Sequence, residues 1–308
     1  MKKILTTLVL LSAAFCAWAQ ETYRFAQRDT CNLYLDIWRA EPGSATAVDS
    51  LQKPTVLYVF GGGFIMGRRD DPFTIQWFKR LNSEGYSVVS IDYRLGMKGY
   101  NVEKSLSGKF KACEQFVLSQ EIGVQDVFSA VSFLSDNPQL GIDPANIVLA
   151  GSSAGAIISL ASAWQVANGE TEGLPEDFPG FKGVMSFAGA IISTSGAPKF
   201  KNAPCQLLLL HGTKDEAVAY KSYGFLGRGM WGSSYIAQKF KNKGWPCAIY
   251  RYIGRTHAVS AYMDYLWPVE EDFLEKVTRG VTYSVDAEVD DPSLPSWWNV
   301  SLNDIYNN

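Results

Sequence analysis

The chain has 308 residues, of which 47% are hydrophobic and 19% are charged. This apolar content is enough for a full core, which excludes a disordered protein, and the length excludes a mini-protein held together by disulfides or metals. The formal net charge is −3 and no run of Lys and Arg forms a basic stripe, so nucleic acid is not an expected partner.

The first 19 residues have the pattern of a cleavable secretory signal peptide. Lys2 and Lys3 precede an apolar run over residues 4–15, and small residues flank position 18 as at a cleavage site. The run is shorter than the ~20 residues that cross a bilayer. A lipid anchor on Cys16 is the alternative, but the bulky residue before it is unusual in lipoprotein signals. We therefore expect a secreted or periplasmic protein without a membrane span, whose residues 20–308 form one domain.

The rest of the chain alternates strand-like and helix-like segments. Residues Leu33–Trp38 alternate in polarity, which predicts a half-buried antiparallel strand. Continuous apolar runs then predict strands buried on both faces of a sheet. They are Val56–Phe60, Tyr86–Ile91, Ile147–Ala150, Val184–Phe187, Leu207–Leu210 and Ala248–Ile253. Helical spacing follows at Phe73–Asn82, Gln120–Ser135, Ala154–Ala167, Ser234–Lys243 and Val259–Val277.

This alternation predicts an α/β fold, with a mostly parallel sheet and helices on both of its faces. No insertion longer than about 30 residues follows Ser153 between these elements, so a large cap domain is not expected. Ligands of such sheets bind beyond the carboxyl ends of the strands. The residues that directly follow the apolar runs are therefore the candidates for chemistry.

The segment IVLAGSSAG, residues 147–155, is a strand that runs into Gly-x-Ser-x-Gly and then into an Ala-rich helix. Glycines permit a turn so tight that side chains there would clash, and the turn lifts the hydroxyl of Ser153 above the sheet. The first N–H groups of the following helix can stabilise an oxyanion. Ser153 is thus the predicted nucleophile, and a chance Gly/Ser turn is the alternative.

The chain holds only two histidines, His211 and His257. After a nucleophile of this kind, the acid and then the histidine follow along the chain. His257, in the segment GRTH, is therefore the predicted base, and His211 is predicted to be structural. The segment HGTKDEAV supplies Asp215 as the acid that would hold the imidazole tautomer, with Glu216 as the alternative.

The segment FGGGF, residues 60–64, ends a predicted strand, and its glycines allow the backbone to approach a ligand closely. The N–H groups of Gly62, Gly63 and Ala154 are the predicted donors of an oxyanion hole. By itself a triple-glycine segment would indicate only a flexible loop.

An aromatic segment, YKSYGFLGRGMW at residues 220–231, follows the acid and offers apolar surface for a substrate. A surface loop held down by its own aromatic rings is the alternative. The predicted pocket residues are Phe64, Ser152, Tyr220, Tyr223 and Trp231.

Four cysteines follow the signal, and an exported protein can pair them as one or two disulfides. A bond between Cys205 and Cys247, which each begin a strand-like run, is one hypothesis, and buried free thiols are the other. The other two cysteines are Cys31 and Cys113. Without CxxC spacing and with two histidines, the chain has little from which to build a metal site, and no cofactor is expected.

These motifs resemble those of the α/β-hydrolase superfamily, and within it the bacterial esterases of the hormone-sensitive-lipase and feruloyl-esterase type. The resemblance extends from Leu51 to Val277. It is carried by FGGGF, DYRLG at 92–96, Asp126 in QDVFSAVSFL, GIDPANIVLAGSSAG at 141–155, HGTKDEAV and GRTH. It implies hydrolysis of carboxylic esters, with Ser153, Asp215 and His257 at the positions of the family's triad.

The chain departs from these relatives at three positions. They usually carry His at Phe60, an acidic residue at Ser152 and Pro at Ala219. Phe60 suggests that packing, instead of an imidazole hydrogen bond, braces the glycine loop. The departures leave the superfamily assignment stronger than the assignment to a subfamily.

The sequence therefore predicts an exported serine esterase for acetyl, short-acyl or aryl esters, including esters linked to carbohydrate. A serine peptidase of the same fold and a non-catalytic binding protein are the alternatives. Trp297 and Trp298 could extend a carbohydrate-facing surface, although we expect them to pack back on the domain. The sequence leaves the natural ester and the oligomeric state open.

Overall fold

A nine-stranded sheet forms the centre of the molecule. Its strands are β1 (Glu21–Gln27), β2 (Asn32–Trp38), β3 (Thr55–Val59), β4 (Val88–Ile91), β5 (Ile147–Ser152), β6 (Gly183–Phe187), β8 (Gln206–Gly212), β11 (Ala248–Tyr252) and β12 (Val285–Val289). The computed structural model describes residues 20–41, 51–295 and 301–306, so the signal peptide, Cys16, Trp297 and Trp298 lie outside the described residues. β1 and β2 pair antiparallel, as do β2 and β4, and the remaining neighbours pair parallel. Across the sheet the strands follow the order β1-β2-β4-β3-β5-β6-β8-β11-β12.

The predicted α/β fold is confirmed, and each predicted strand forms within a few residues of its expected bounds. The strands from β3 to β8 are buried along their whole length, as expected for a parallel sheet covered on both faces. The two edge strands β1 and β12 were not predicted. Both lack a continuous apolar run, and their residues are half-buried or exposed apart from the buried Phe25 of β1.

The helices are α1 (Pro72–Ser83), α2 (Leu106–Asp136), α3 (Ala154–Asn168), α4 (Ser233–Lys243), α5 (Trp267–Thr278) and α6 (Leu302–Tyr306). In the described ranges, none of them combines the length and the apolar character that a bilayer crossing requires.

Two helix predictions need correction. α2 begins at Leu106 instead of Gln120, where the Ser105 hydroxyl accepts the N–H of Gly108 at 3.0 Å as an N-cap. The helix predicted over Val259–Val277 begins only at Trp267, and it is preceded by two 3₁₀ turns, His257–Ala261 and Met263–Leu266. Pro268 explains the late start, because proline has no N–H to give to a preceding turn and is favoured in the first turn of a helix.

The hypothesis of a disulfide between Cys205 and Cys247 is wrong, since all four described cysteines are free thiols. The register of the parallel pair β8 and β11 explains why. Ala248 pairs with Leu208, so Cys247 is aligned two residues beyond Cys205. That offset together with the strand spacing separates the two Cα atoms by roughly 8 Å, which is beyond the ~7 Å limit for a disulfide.

A second, three-stranded antiparallel sheet carries much of the aromatic segment that follows the acid. Its order is β7-β10-β9. Its strands are β7 (Ala190–Ser193), β9 (Ser222–Phe225) and β10 (Arg228–Gly232). β9 and β10 form a hairpin, and every residue of β9 is exposed to solvent.

Helices α1 and α5 meet at a buried carboxyl group. The indole Nε1 of Trp77 in α1 donates to the Oε2 atom of the Glu270 carboxyl group in α5 at 2.6 Å, and Glu270 has no exposed surface. Burial raises the pKa of Glu270 well above its ordinary value, and the hydrogen bond from Trp77 offsets this only in part. The folded chain therefore retains a proton that the unfolded chain releases above about pH 4.

We expect the free energy of unfolding to fall as the pH rises from 5 to 8, by at most about 1.4 kcal/mol per pH unit from this group. Glu270→Gln keeps an acceptor for Trp77 and cannot ionise, so it should lose this part of the pH dependence. Urea unfolding at pH 5, 6.5 and 8 measures it. Glu271→Gln, at the half-buried neighbouring position, is the matched control. Equal slopes in the wild type and Glu270→Gln would contradict the prediction.

Candidate active site

Four segments that leave the carboxyl ends of parallel strands meet at one edge of the central sheet. Ser153 follows β5, the glycine loop follows β3, Asp215 lies beyond β8, and His257 lies beyond β11. β3 and β5 are neighbours, with Val59 paired to Gly151, so the glycine loop begins beside the turn that holds Ser153. The sheet order thus brings together residues that are far apart in the sequence.

The turn at Ser153 is strained, and two glycines make it possible. Ser153 has φ 53° and ψ −116°, a conformation that costs a non-glycine residue about 1–3 kcal/mol. A Cβ atom on Gly151 would lie 2.3 Å from the carbonyl oxygen of Gly155. One on Gly155 would lie 2.0 Å from the carbonyl oxygen of Val59. No larger residue fits at either position, which is the physical content of the Gly-x-Ser-x-Gly pattern.

The structure joins the three predicted triad residues in one chain of hydrogen bonds. His257 Nε2 lies 2.8 Å from Ser153 Oγ, and His257 Nδ1 lies 2.7 Å from Asp215 Oδ2. The exposed fraction is 8% for Ser153 and 2% for His257, so little water competes for these contacts. Glu216, the alternative acid, is exposed to solvent. A base in contact with a hydroxyl and oriented by a carboxylate is the arrangement that activates a serine nucleophile.

Asp215 is held as an anion by several donors. Its Oδ1 accepts the backbone N–H groups of Ala217 and Val218, both at 2.9 Å. Burial raises the pKa of Asp215, but attraction to His257 and hydrogen bonds from both histidines outweigh burial and hold the pKa well below its usual range. Asp215 therefore stays ionised at neutral pH, as is needed to stabilise an imidazolium.

His211 was predicted to be structural, and the structure adds a contact with the acid. Its Nε2 lies 3.2 Å from Asp215 Oδ2 and 3.2 Å from the carbonyl oxygen of Val218, both of which accept. Its Nδ1 lies 2.8 Å from Ser233 Oγ, and the ring is fully buried. His211 and His257 thus approach the same carboxylate oxygen. The sequence does carry a signal for this contact. His211 and Asp215 are four residues apart in HGTKDEAV, and a turn after β8 can bring the two side chains together.

The glycine loop orients its own peptide groups. The carbonyl oxygen of Gly62 accepts the N–H groups of Ile65 and Met66, each at 3.1 Å. In a trans peptide the N–H of Gly63 points opposite to that carbonyl group, so the loop itself fixes its direction. Within the described ranges, the N–H groups of Gly62, Gly63 and Ala154 have no intramolecular acceptor. They are therefore available to a ligand beside Ser153.

Packing against Phe60 supports the glycine loop, as predicted from the presence of a phenylalanine at this position. The rings of Phe60 and Tyr93 lie 4.4 Å apart between centroids, and the Tyr93 hydroxyl donates to the carbonyl oxygen of Phe60 at 3.1 Å. Tyr93 belongs to the DYRLG segment, so one tyrosine supplies both the apolar contact and a hydrogen bond.

A small apolar pocket opens beside Ser153. The space that its lining residues enclose, including the part open to solvent, is about 300 Å³. Of the predicted pocket residues, Phe64 lines it. Most of the other side chains that line the pocket were not predicted individually, and they come from six separate parts of the chain. They include Phe116, Ile157, Ile192, Val218, Met230, Ile305 and Tyr306.

The other four predicted pocket residues lie elsewhere. The Ser152 hydroxyl donates to the carbonyl oxygen of Ser260 at 2.7 Å and so ties the nucleophile strand to the turn of His257. The Tyr220 hydroxyl accepts from Arg251 at 2.6 Å. Tyr223 and Trp231 line a shallow groove on the hairpin of β9 and β10, where Tyr223 is 70% exposed. Because side chains alternate along β10, Met230 points toward the pocket of Ser153 and Trp231 does not.

Within the described part of the chain, no three His, Cys, Asp or Glu side chains are grouped as metal ligands.

The model of the carboxylesterase family matches residues 15–174 of the chain, which include the glycine loop and the turn of Ser153. A chlorogenic acid esterase of Aspergillus niger is 30% identical over 174 residues, which are 54% of this chain and 27% of that protein. Secreted lipase 1 of Botryotinia fuckeliana (strain B05.10) is 29% identical over 165 residues, which are 53% of this chain and 25% of that protein. The chain thus spans about a quarter of the length of these curated relatives.

Solved structures share the fold at low sequence identity. The butyrate-bound form of esterase 2 from Thermogutta terrifontis superposes with a TM-score of 0.58 at 19% identity. The match covers 83% of this chain and 94% of that protein. The propionate-bound form of the same esterase gives a TM-score of 0.57 with the same coverage.

The contact between His211 and Asp215 leads to a prediction. His211→Leu should lower kcat for ester hydrolysis about 10- to 100-fold with little change in KM, because a hydrogen bond to a charged group contributes ~1.5–3 kcal/mol. Steady-state kinetics with p-nitrophenyl acetate measures this, and thermal unfolding checks that the variant is folded. Ser233→Ala keeps the imidazole next to Asp215 and should have the smaller effect. A folded His211→Leu with wild-type kcat would show that the contact has no part in the reaction.

Proposed function

The chain belongs to the carboxylesterase family, and from this premise we propose that it is an exported serine hydrolase of carboxylic esters, with Ser153 as nucleophile, His257 as base and Asp215 as acid. One observation carries the proposal above all others. A serine held in a strained turn lies 2.8 Å from an imidazole whose other nitrogen lies 2.7 Å from a buried carboxylate.

The reaction follows from the roles of these groups. His257 Nε2 accepts the proton of Ser153 as Oγ attacks the ester carbonyl carbon, and Asp215 stabilises the imidazolium that forms. The carbonyl oxygen becomes an oxyanion. Backbone N–H groups of Gly62, Gly63 and Ala154 donate to it, each contributing about 3–4 kcal/mol of transition-state stabilisation.

Collapse of the tetrahedral intermediate breaks the bond to the alcohol oxygen, and His257 returns its proton to that oxygen. The product is an acyl group esterified to Ser153. His257 then takes a proton from water as the water attacks the acyl carbon. The carboxylic acid leaves, and the serine hydroxyl is restored.

The size and chemistry of the pocket favour acetyl, other short-acyl or compact aryl esters, including those carried on carbohydrate. The pocket is small and lined mostly by apolar side chains, which suits a short acyl chain or a compact ring better than a long lipid tail. The A. niger relative is named for chlorogenic acid, which supports testing that ester.

The N-terminal pattern of two lysines, an apolar run and small residues supports export. The name of secreted lipase 1, the B. fuckeliana relative, agrees with this proposal. Expression with the native N-terminus, followed by N-terminal sequencing of the exported protein, would test cleavage after residue 19. An uncleaved product found only inside the cell would contradict export.

We expect Ser153→Ala to remain folded and to lose about a million-fold in kcat, as when the nucleophile of a triad is removed. The assay compares p-nitrophenyl acetate, methyl ferulate, chlorogenic acid and acetylated xylan. A prolyl amide is included because a serine peptidase of this fold would cleave it.

Covalent labelling by a fluorophosphonate completes the test. The wild type should be labelled and Ser153→Ala should not. A wild type that is neither labelled nor active on any ester would support a non-catalytic binding protein. Faster cleavage of the amide than of the esters would support a peptidase.

A further inference from the structure

The short helix α6 brings the C-terminal part of the chain to the pocket beside Ser153. Ile305 and Tyr306 both line this pocket, together with Phe64 and the first turn of α3. Neither residue belongs to the motifs that carry the chemistry. They nevertheless line the pocket of the nucleophile, whereas Tyr223 and Trp231 of the aromatic hairpin line a separate groove.

Several contacts fix Tyr306 in place. Its hydroxyl donates to the carbonyl oxygen of Gly63 in the glycine loop. Its ring meets the ring of Phe116 edge to face, with centroids 4.9 Å apart and an interplanar angle of 86°. At the start of α6, the Ser301 hydroxyl and N–H both donate to Asp304 Oδ2, at 2.7 and 2.8 Å. Asp304 thus caps the start of α6, and Tyr306 holds the helix against both the glycine loop and Phe116.

The two side chains fit closely against the loop. A Cβ atom on Gly63 would lie 2.9 Å from Ile305 Cγ2 and 2.9 Å from the Tyr306 hydroxyl oxygen. Ordinary carbon contacts begin near 3.5 Å, so no gap remains between α6 and the loop. Burial also raises the pKa of Tyr306, so that its hydroxyl remains a neutral donor.

The position of His257 indicates which part of an ester this pocket receives. The alcohol that leaves must take its proton from His257 Nε2 and therefore departs on the side of the imidazole. Among the described residues that line the pocket, Ser153 and the oxyanion donors Gly63 and Ala154 are present and His257 is not. The pocket therefore faces the acyl side of the carbonyl carbon.

We propose that Ile305 and Tyr306 form a wall of the acyl pocket and restrict the enzyme to short acyl groups. The proposal rests on the proposed ester hydrolysis and adds specificity-determining residues to it. Either residue cut back to alanine should open space next to Ser153 into which a longer acyl chain can extend. In apolar pockets, room for additional methylene groups changes relative rates by 10-fold or more.

The experiment measures kcat/KM for the p-nitrophenyl esters of acetate, butyrate and octanoate in the full chain. Tyr306→Ala and Ile305→Ala should each raise the ratio of octanoate to acetate at least 10-fold. Ile305→Trp should act in the opposite direction and lower the ratio of butyrate to acetate. Tyr306→Phe keeps the ring, so its ratios should stay within about twofold of the wild type. Tyr235→Ala, at another half-buried tyrosine on a helix, is the matched control.

Fluorophosphonate labelling of Ser153 identifies variants that remain folded at the site. Alanine variants that are labelled but keep the wild-type octanoate-to-acetate ratio would overturn the inference. So would a Tyr306→Phe variant that shifts the ratio as far as Tyr306→Ala, because the ring would then not set the size of the pocket. Acetyl esters of larger alcohols are assayed in parallel, and a shift seen only with them would also overturn the inference, since the pocket would then hold the alcohol.

A failure of the proposed function would look different. A wild type that hydrolyses no ester would refute ester hydrolysis, whatever the result for the variants of Ile305 and Tyr306. A wild type that hydrolyses acetate, with variants of unchanged acyl preference, would refute only the role of Ile305 and Tyr306.

Discussion

The backbone of Gly155 meets the end of β3 so closely that a single methyl group there would collide with the carbonyl oxygen of Val59. This contact brings the start of α3 against the strand that leads into the glycine loop. The turn between β5 and α3 must then be very short, and Ser153 takes the strained conformation that such a turn requires. The strain of one residue thus sets both the exposure of its hydroxyl and its distance from the glycine loop.

The carboxylate of Asp215 is stabilised by contacts on more than one side. Desolvation disfavours the charge of Asp215, so a buried carboxylate at this position needs donors. Two backbone N–H groups and two imidazoles supply them. The proposed reaction uses the contact with His257, whereas the contact with His211 lies at the end of β8, where Ser233 also holds that ring. His257 can therefore change its protonation state while the carboxylate keeps a fixed partner.

The fold was predictable because its inner strands are covered on both faces. Continuous apolar runs marked them, and the sequence order of the motifs then indicated Ser153, His257 and Asp215. The same reasoning failed where burial is partial or contacts are remote. The edge strand β12 has no apolar run. Tyr306 reaches Gly63 across 243 positions of sequence, and no local pattern indicates such a contact. The aromatic hairpin brings Met230 to the pocket, whereas Tyr223 and Trp231 line a separate groove, because composition indicates apolar surface without indicating which face of a strand carries it.

The attachment of α6 to the glycine loop raises the question of whether acyl size and oxyanion stabilisation are coupled. Tyr306 donates to the carbonyl oxygen of Gly63, which belongs to the peptide group that joins Gly63 to Phe64. The N–H of Gly63 belongs to the preceding peptide group, whose carbonyl oxygen is held by Ile65 and Met66. The loop thus orients its donor with its own hydrogen bonds, and α6 acts on the next peptide group along the chain. Substitutions in α6 should therefore alter the space for the acyl group more than the stabilisation of the oxyanion.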